Sequence, residues 1–341
     1  MKQAKILDCT LRDGAHINKG LFGRDCSKRI LAGLSNSGID YVELGNIEPK
    51  LSKEGSTYFN SVDHAVDFFS FKKDKTKNLQ LGLMTRTDRC ELSNIKPNED
   101  IDFIRIALYP EHISEVIKYS NKLIGYGYKL YLNLIAVTSY ETEEIKKLLS
   151  SLNESIDFSG LSIVDTYGAL TEERLLNIMP IFEEIVDNKK EIGLHLHENL
   201  NRSSLLYNLF IKNTSKENLI IDCSLGGMGR VPGNFPTEVC ANLMNSDFNK
   251  NYLIDELAQT ASAEIQSFQE VNKWGYLPIY ATSAILNIDR SYPEYFQKKG
   301  LSDKKNIDAQ EIIANNLSAK KFSENIANNA ISILNDKKRH I

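Results

Sequence analysis

An α/β fold is predicted for this chain: a (β/α)₈ TIM barrel followed by an α-helical C-terminal extension. Three observations carry the expectation. Eight short β-rich runs recur within the first 250 residues, segments of helical length separate them, and the strand rhythm stops after about residue 250.

The runs are 6–10, 41–45, 79–85, 103–108, 129–136, 160–165, 191–197 and 219–224. Between them, helices are predicted over 27–37, 57–71, 111–126, 141–153, 171–187, 202–212 and 236–244, with a short one over 87–94. Thr171-Glu172-Glu173 and Ser139-Tyr140-Glu141 read as helix starts, with a cap and an acidic first turn. An open doubly wound sheet is the alternative, because alternation alone does not show closure. No Gly-x-Gly-x-x-Gly follows the first run, which weakens a dinucleotide-binding reading. The expected division is a barrel domain over 1–250 and a helical region over 251–341. In the latter, Leu253, Leu257, Ala261, Ile265, Phe268 and Val271 or Asn272 trace an approximately helical stripe, and 307–317 and 322–334 read as helices. That region would pack on the barrel, form an oligomer interface or dock a partner.

Composition limits the partners. With 42% hydrophobic and 25% charged residues the chain has the balance of a globular enzyme, and a net charge of -4 argues against nucleic acid. The basic clusters Lys72-Lys73 and Lys337-Lys338-Arg339 read as solvated surface. Five cysteines with no Cys-x-x-Cys fit reduced thiols, and no apolar stretch reaches membrane-spanning length, so a cytoplasmic location is expected.

Chemistry on a barrel gathers where strands end at their C-terminal side. His195 and His197 stand two apart on a strand and face the same way, with Leu194 and Leu196 toward the helices. The pair reads either as metal ligands or as a hydrogen-bonded couple. Barrel closure would bring Asp13 within reach, and two histidines with one carboxylate leave coordination positions open, as a catalytic metal site requires. Arg12-Asp13 alone could be a structural ion pair, but His16 follows in the same loop, and histidine suits proton transfer. The run 226–233 lacks the Lys-Ser/Thr of a P-loop. It reads as a flexible flap over the barrel mouth, with Arg230 and Asn234 as ligand contacts.

These residues resemble the DRE-TIM metallolyases. The resemblance rests on Leu7-Asp8-Cys9-Thr10-Leu11-Arg12-Asp13-Gly14, Glu43, the His-x-His pair and the loop ending in Gly233-Asn234, spread over residues 6–240. Ala15-His16 stands where Claisen-type synthases place a Gln, and Met228 stands where hydroxymethylglutaryl-CoA lyases carry a Cys in the loop. The Met-Lys-Met attachment site of biotin carriers is absent. The Arg-Asp-Gly-x-His form, Asp165-Thr166 and His195-Leu196-His197-Glu198-Asn199-Leu200 are similar to the 4-hydroxy-2-oxovalerate aldolases.

What the resemblance implies is reversible cleavage of a 4-hydroxy-2-oxo acid to pyruvate and an aldehyde. Asp13, His195 and His197 would bind Mn²⁺ or Mg²⁺, with Co²⁺ or Zn²⁺ as alternatives, and the ion would act as Lewis acid for a pyruvate enolate. Arg12 would stabilise the oxyanion, His16 would take the C4 hydroxyl proton, and Tyr280 would reach the site from the C-terminal region, with Tyr276 competing for that role. Glu43, Asn133, Thr166 and Asn234 would complete the substrate pocket, Thr166 at the pyruvate carboxylate. A homo-oligomer is expected. An acylating aldehyde dehydrogenase partner stays open, because the tail departs from those aldolases. A second departure is Gly45-Asn46-Ile47-Glu48-Pro49-Lys50 in place of a Gly-Asp-Gly-type loop after Glu43, which bears on the aldehyde half. The competing functions are Claisen-type condensation of an acyl-CoA with a 2-oxo acid, and a non-catalytic barrel serving as a binding module.

Overall fold

A computed structural model describes residues 2–70, 78–315 and 317–337. Phe71, Lys72, Lys73, Lys338 and Arg339 lie outside the described residues, so the end of the 57–71 segment and both basic clusters are not placed in full.

Eight parallel strands form the barrel: β1 (Gln3–Asp8), β2 (Tyr41–Ile47), β3 (Gln80–Thr85), β4 (Phe103–Leu108), β5 (Lys129–Leu134), β6 (Gly160–Val164), β7 (Glu191–His195) and β8 (Asn218–Cys223). Each pairs with its sequence neighbours, β8 pairs with β1, and β1 pairs with β2 through Leu7 with Tyr41 and Asp8 with Val42. The ring is therefore closed, and the open sheet is excluded. A two-residue strand, Tyr58–Phe59, adds to the end of β2.

Helices cover the outside: α1 (Arg24–Asn36), α2 (Val62–Phe69), α3 (Ile113–Gly125), α4 (Thr142–Ser155), α5 (Glu172–Ile185), α6 (Ser203–Asn213) and α7 (Thr237–Phe248). The Thr171 hydroxyl accepts the Arg174 N–H and caps α5, as its position ahead of two glutamates predicts. For α4 the cap is Glu141 rather than Ser139, in a reciprocal pairing with Glu144. No α-helix follows β3; the 87–94 segment contains only the 3₁₀ turn Leu92–Asn94.

The barrel interior is layered by the two-residue period of its strands. At the N-terminal end, Tyr41 and Tyr131 donate to Glu191, which also pairs with Lys5 at 2.8 Å. The rings of Tyr41 and Tyr131 join Leu7, Cys9, Phe103 and Ile220 in an apolar plug. The next layer is polar and completely buried, with Glu43, Arg105, Asn133, Ser162, His195 and Asp222 pointing inward. All five cysteines are free thiols.

The boundary at residue 250 does not coincide with a change in packing. Helix α8 (Ile254–Glu264) lies against α1, and Leu257, Ile265 and Trp274 belong to the same core as the barrel helices. The stripe is partial, since Leu253 and Val271, in the following helix α9 (Gln266–Val271), are exposed. A separate small core begins near Ile288 and joins α11 (Ser291–Lys298), α12 (Asp303–Ala314) and α13 (Glu324–Lys337) through Tyr292, Phe296, Ala309, Ile313, Ala327 and Ala330. Together with α10 (Pro278–Ile285) it sits over the C-terminal end of the barrel, docked where Asn199 donates to the Tyr280 carbonyl and Asn287 to the Thr138 carbonyl. Helices α10 and α11 have no counterpart in the sequence expectation. No helix among the described residues is long and apolar enough to cross a membrane.

Candidate active site

The site is built on strand ends. Immediately after β1 the chain turns into a single helical turn, Thr10–Asp13, all of it buried. This puts Arg12 and Asp13 over the axis of the barrel. The turn is pinned by the Thr10 hydroxyl, which accepts the Leu225 N–H, and by Asn46, which donates to the Arg12 carbonyl at 3.0 Å. The departure after Glu43 falls inside β2 and has a local structural role: Asn46 fixes the turn, and Gly45, at φ 151° with the Thr57 carbonyl 2.1 Å from where a Cβ would stand, lets the chain pass behind it.

Asp13, His195 and His197 converge. One ligand atom from each lies within 4.8 Å of the others, and all three residues are buried. Each imidazole is oriented from behind. His195 Nδ1 lies 3.0 Å from Asp222 Oδ2, and His197 Nδ1 lies 2.9 Å from the Asp165 carbonyl. The His197 bond fixes the tautomer, since a carbonyl only accepts. His197 Nε2 then points toward Asp13, 3.8 Å from Oδ2, buried and without a hydrogen-bond partner among the described residues. An orphaned buried lone pair is costly, and a bound cation would satisfy it. The donor set of two imidazoles and one carboxylate, with carboxylate and carbonyl oriented behind the rings, fits a divalent metal. Burial alone would raise the Asp13 pKa, but Arg12, then His16, His197 and His195, bring it well below the usual carboxylate range. Burial, then Arg290 and His195, hold the His197 pKa well below that of a free imidazole, so the ring is neutral and able to ligate.

Arg12 is held by two anions, Glu43 at 2.7 Å from Nε and Asp13 at 2.6 Å from Nη1, while Nη2 is buried with no hydrogen-bond partner among the described residues. Beneath it Arg105 straps the barrel interior, donating to Asn133, Ser162 and Asp222 and facing Glu43 at 3.5 Å. Arg105 and Asp222 have no part in the sequence expectation, although each is a charge at an inward position of an otherwise apolar strand.

A cavity of about 140 Å³ opens over this floor, lined by Arg12, Asp13, His16, Asn133, Thr166, His195 and His197 among the expected residues. His16 sits at its rim, its side chain 37% exposed, with Nε2 3.9 Å from Asp13 Oδ1. Thr166 Oγ1 accepts the Ala136 N–H at 2.7 Å, leaving the hydroxyl proton free for a ligand. Three expected contacts are placed elsewhere. Glu43 is fully buried under Arg12 and does not line the cavity; its carboxylate is engaged by the guanidinium groups of Arg12 and Arg105. Asn234 donates to Asp13 Oδ2 at 2.8 Å and so orients the ligand carboxylate. The Tyr280 hydroxyl turns to Gln297 at 3.2 Å, outside the cavity lining, and Tyr276 is 54% exposed.

The 226–233 loop is a packed wall and no flap. Gly227, Met228, Gly229, Pro232 and Gly233 are all buried. Gly229 is needed for close approach, since a Cβ there would lie 2.4 Å from Asn234 Nδ2 and 2.6 Å from Asp13 Oδ2. Arg230 lines the cavity, but its Nε and Nη2 are taken up by Glu294 at 2.9 and 2.8 Å, which ties the loop to α11. Arg86, Arg89, Tyr109 and Arg290 also line the cavity and were not singled out by sequence.

No protein-family model matches the chain. A curated 4-hydroxy-2-oxovalerate aldolase from Bacillus thuringiensis (strain Al Hakam) is 22% identical over 328 residues, covering 92% of this chain and 89% of the relative. Among solved structures, the N-terminal domain of a Bacteroides vulgatus protein named as a candidate aldolase superposes with a TM-score of 0.69 at 22% identity, over 88% of this chain and 98% of that domain. The HMG-CoA lyase from Brucella melitensis gives a TM-score of 0.62 at 15% identity, over 80% and 99%.

Proposed function

We propose that this chain, a DRE-TIM metallolyase by its motifs, its barrel and its relatives, is a divalent-cation-dependent aldolase. The reaction would interconvert a 4-hydroxy-2-oxo acid with pyruvate and an aldehyde. The observation that carries the reading is the convergence of Asp13, His195 and His197 beside Arg12 and His16. A cation held by the first three supplies Lewis acidity for negative charge developing on the 2-oxo oxygen.

The protein's own groups account for the rest. Arg12 has committed Nε and Nη1 to Glu43 and Asp13, so its remaining Nη2 is presented, rigid and desolvated, to the oxyanion. His16 is kept neutral by partial burial and by Arg230, Arg290 and Arg12, which outweigh the pull of Asp13. A neutral imidazole at the rim is a base, able to accept the C4 hydroxyl proton as the C3–C4 bond breaks and to return it in condensation. The Thr166 hydroxyl is free to donate to the substrate carboxylate.

The test is an assay of short 4-hydroxy-2-oxo acids with Mn²⁺, following pyruvate through a coupled dehydrogenase, before and after chelation. The reading requires pyruvate release that chelation abolishes. Turnover that persists without metal, or thiol release from acetyl-CoA and a 2-oxo acid with no pyruvate chemistry, would sink it.

A further inference from the structure

Arg290 stands apart from every other cation on the cavity wall. It is 4% exposed and lines the cavity beside His16, Thr166 and His197, yet its Nε and Nη1 have no hydrogen-bond partner among the described residues. The remaining guanidinium groups there are engaged: Arg86 with Asp88, Arg89 with Glu48, Arg230 with Glu294, Arg12 with Asp13 and Glu43. Its neighbour Asp289 is occupied elsewhere, accepting from the Ser291 and Phe322 N–H groups and from the Tyr167 hydroxyl. Burial beside Arg230 lowers the Arg290 pKa only to about 10, so it remains a cation at neutral pH.

Holding an unpaired guanidinium in a buried wall is costly unless an anion arrives to meet it. The placement is also fixed. Arg290 precedes the first residue of α11, and that helix is clamped to the 226–233 loop by the Arg230–Glu294 pair and by Arg230 to Ser291 at 3.1 Å. In the aldolase reading, the cation and Thr166 serve the 2-oxo acid carboxylate. Arg290 lines the same cavity as His16, the group facing the bond that breaks. That leaves Arg290 for the other end of the substrate.

We propose that Arg290 recognises an anionic group on the aldehyde half, so that the substrate is a 4-hydroxy-2-oxo acid ending in a carboxylate or a phosphate. The inference rests on the aldolase reading and names its substrate class. A guanidinium offers two parallel donors to either group, and a neutral alkyl tail would leave it unpaired.

Calorimetry on the Mn²⁺-loaded full chain tests this without turnover, using 2-oxoglutarate, 2-oxo-4-phosphonobutanoate and the neutral-ended 2-oxopentanoate. In the unaltered protein at least one charged-tail ligand should bind roughly tenfold to a hundredfold more tightly than 2-oxopentanoate, and which one it is identifies the group. Arg290→Met should erase that preference while leaving 2-oxopentanoate within about twofold; Arg290→Lys should keep part of it. Equal binding of all three ligands, or an Arg290→Met loss as large for 2-oxopentanoate as for the charged ligands, overturns the assignment. If Mn²⁺ binds but none of the three 2-oxo acids does, the aldolase reading falls and this inference falls with it.

Discussion

Asp222 Oδ2 stands 3.0 Å from His195 Nδ1 and 2.7 Å from Arg105 Nη2, so one carboxylate oxygen joins a candidate metal ligand to the strap beneath it. The carboxylate is kept ionised. Burial would raise its pKa, but Arg105 and His195 lower it. Asp222→Asn removes the charge and keeps the shape, and should weaken divalent-metal affinity about 10- to 100-fold. Titration of Mn²⁺ by calorimetry measures it; unchanged affinity would show that Asp222 serves only the barrel.

Metal should also stabilise the fold. A ligand at a hundred times its dissociation constant adds about 2.7 kcal/mol to the unfolding free energy. Melting temperature should rise with Mn²⁺ in the unaltered chain and stay flat in Asp13→Asn, in which the one anionic group of the three candidate ligands is gone. An equal rise in both proteins would place the ion elsewhere.

Gly229→Ala tests the packed wall. The added Cβ must displace Asn234 Nδ2 or Asp13 Oδ2, at 2.4 and 2.6 Å. Activity and metal binding should both drop at least tenfold, in proportion to a misplacement of the order of 1 Å, while circular dichroism stays unchanged. Retained metal affinity would mean that the loop yields as a flap would.

Much of this site was legible in the sequence, and the line between what was and what was not is physical. The eight strands, the inward pair His195 and His197 and the turn at Asp13 follow from periodicity and from the order of neighbours around a closed ring. Local pattern carries such information. The role of Asn234 as a partner of Asp13, the rotation of Tyr280 toward Gln297 and the approach of Arg290 depend on contacts across 221, 17 and more than a hundred residues of chain or on side-chain rotamers. No period encodes those. Arg290 sits in Asn287-Ile288-Asp289-Arg290, which reads as an ordinary loop. Only the docking of the C-terminal helices makes it part of the cavity.

Asp8 should give the fold a pH dependence independent of the metal. It is fully buried, and desolvation raises its pKa to about 6, against the lowering effect of its bonds to Thr237 and Thr10. The unfolded chain would ionise near 3.8. Between about pH 4 and 6 the folded state keeps a proton that the unfolded state has lost, so stability falls as pH rises through that window and then levels off. Two units correspond to about 3 kcal/mol. Asp8→Asn should remove this fall, so denaturant unfolding at pH 4 and pH 7 should differ less in the variant. Parallel pH curves for the two proteins would refute the assignment.

The apolar plug of Leu7, Phe103, Tyr131 and Ile220 has a kinetic consequence. Among the described residues it fills the barrel interior beneath the cavity, which closes passage through the N-terminal end and leaves the C-terminal rim for entry and exit. Two fragments formed there cannot depart by separate exits. Whatever sits on Asp13, His195 and His197 at the floor must wait for the piece nearer His16 to clear the rim. On the proposed aldolase reaction, product-inhibition kinetics should therefore show a fixed order of release, aldehyde before pyruvate, and the reverse order of binding in condensation.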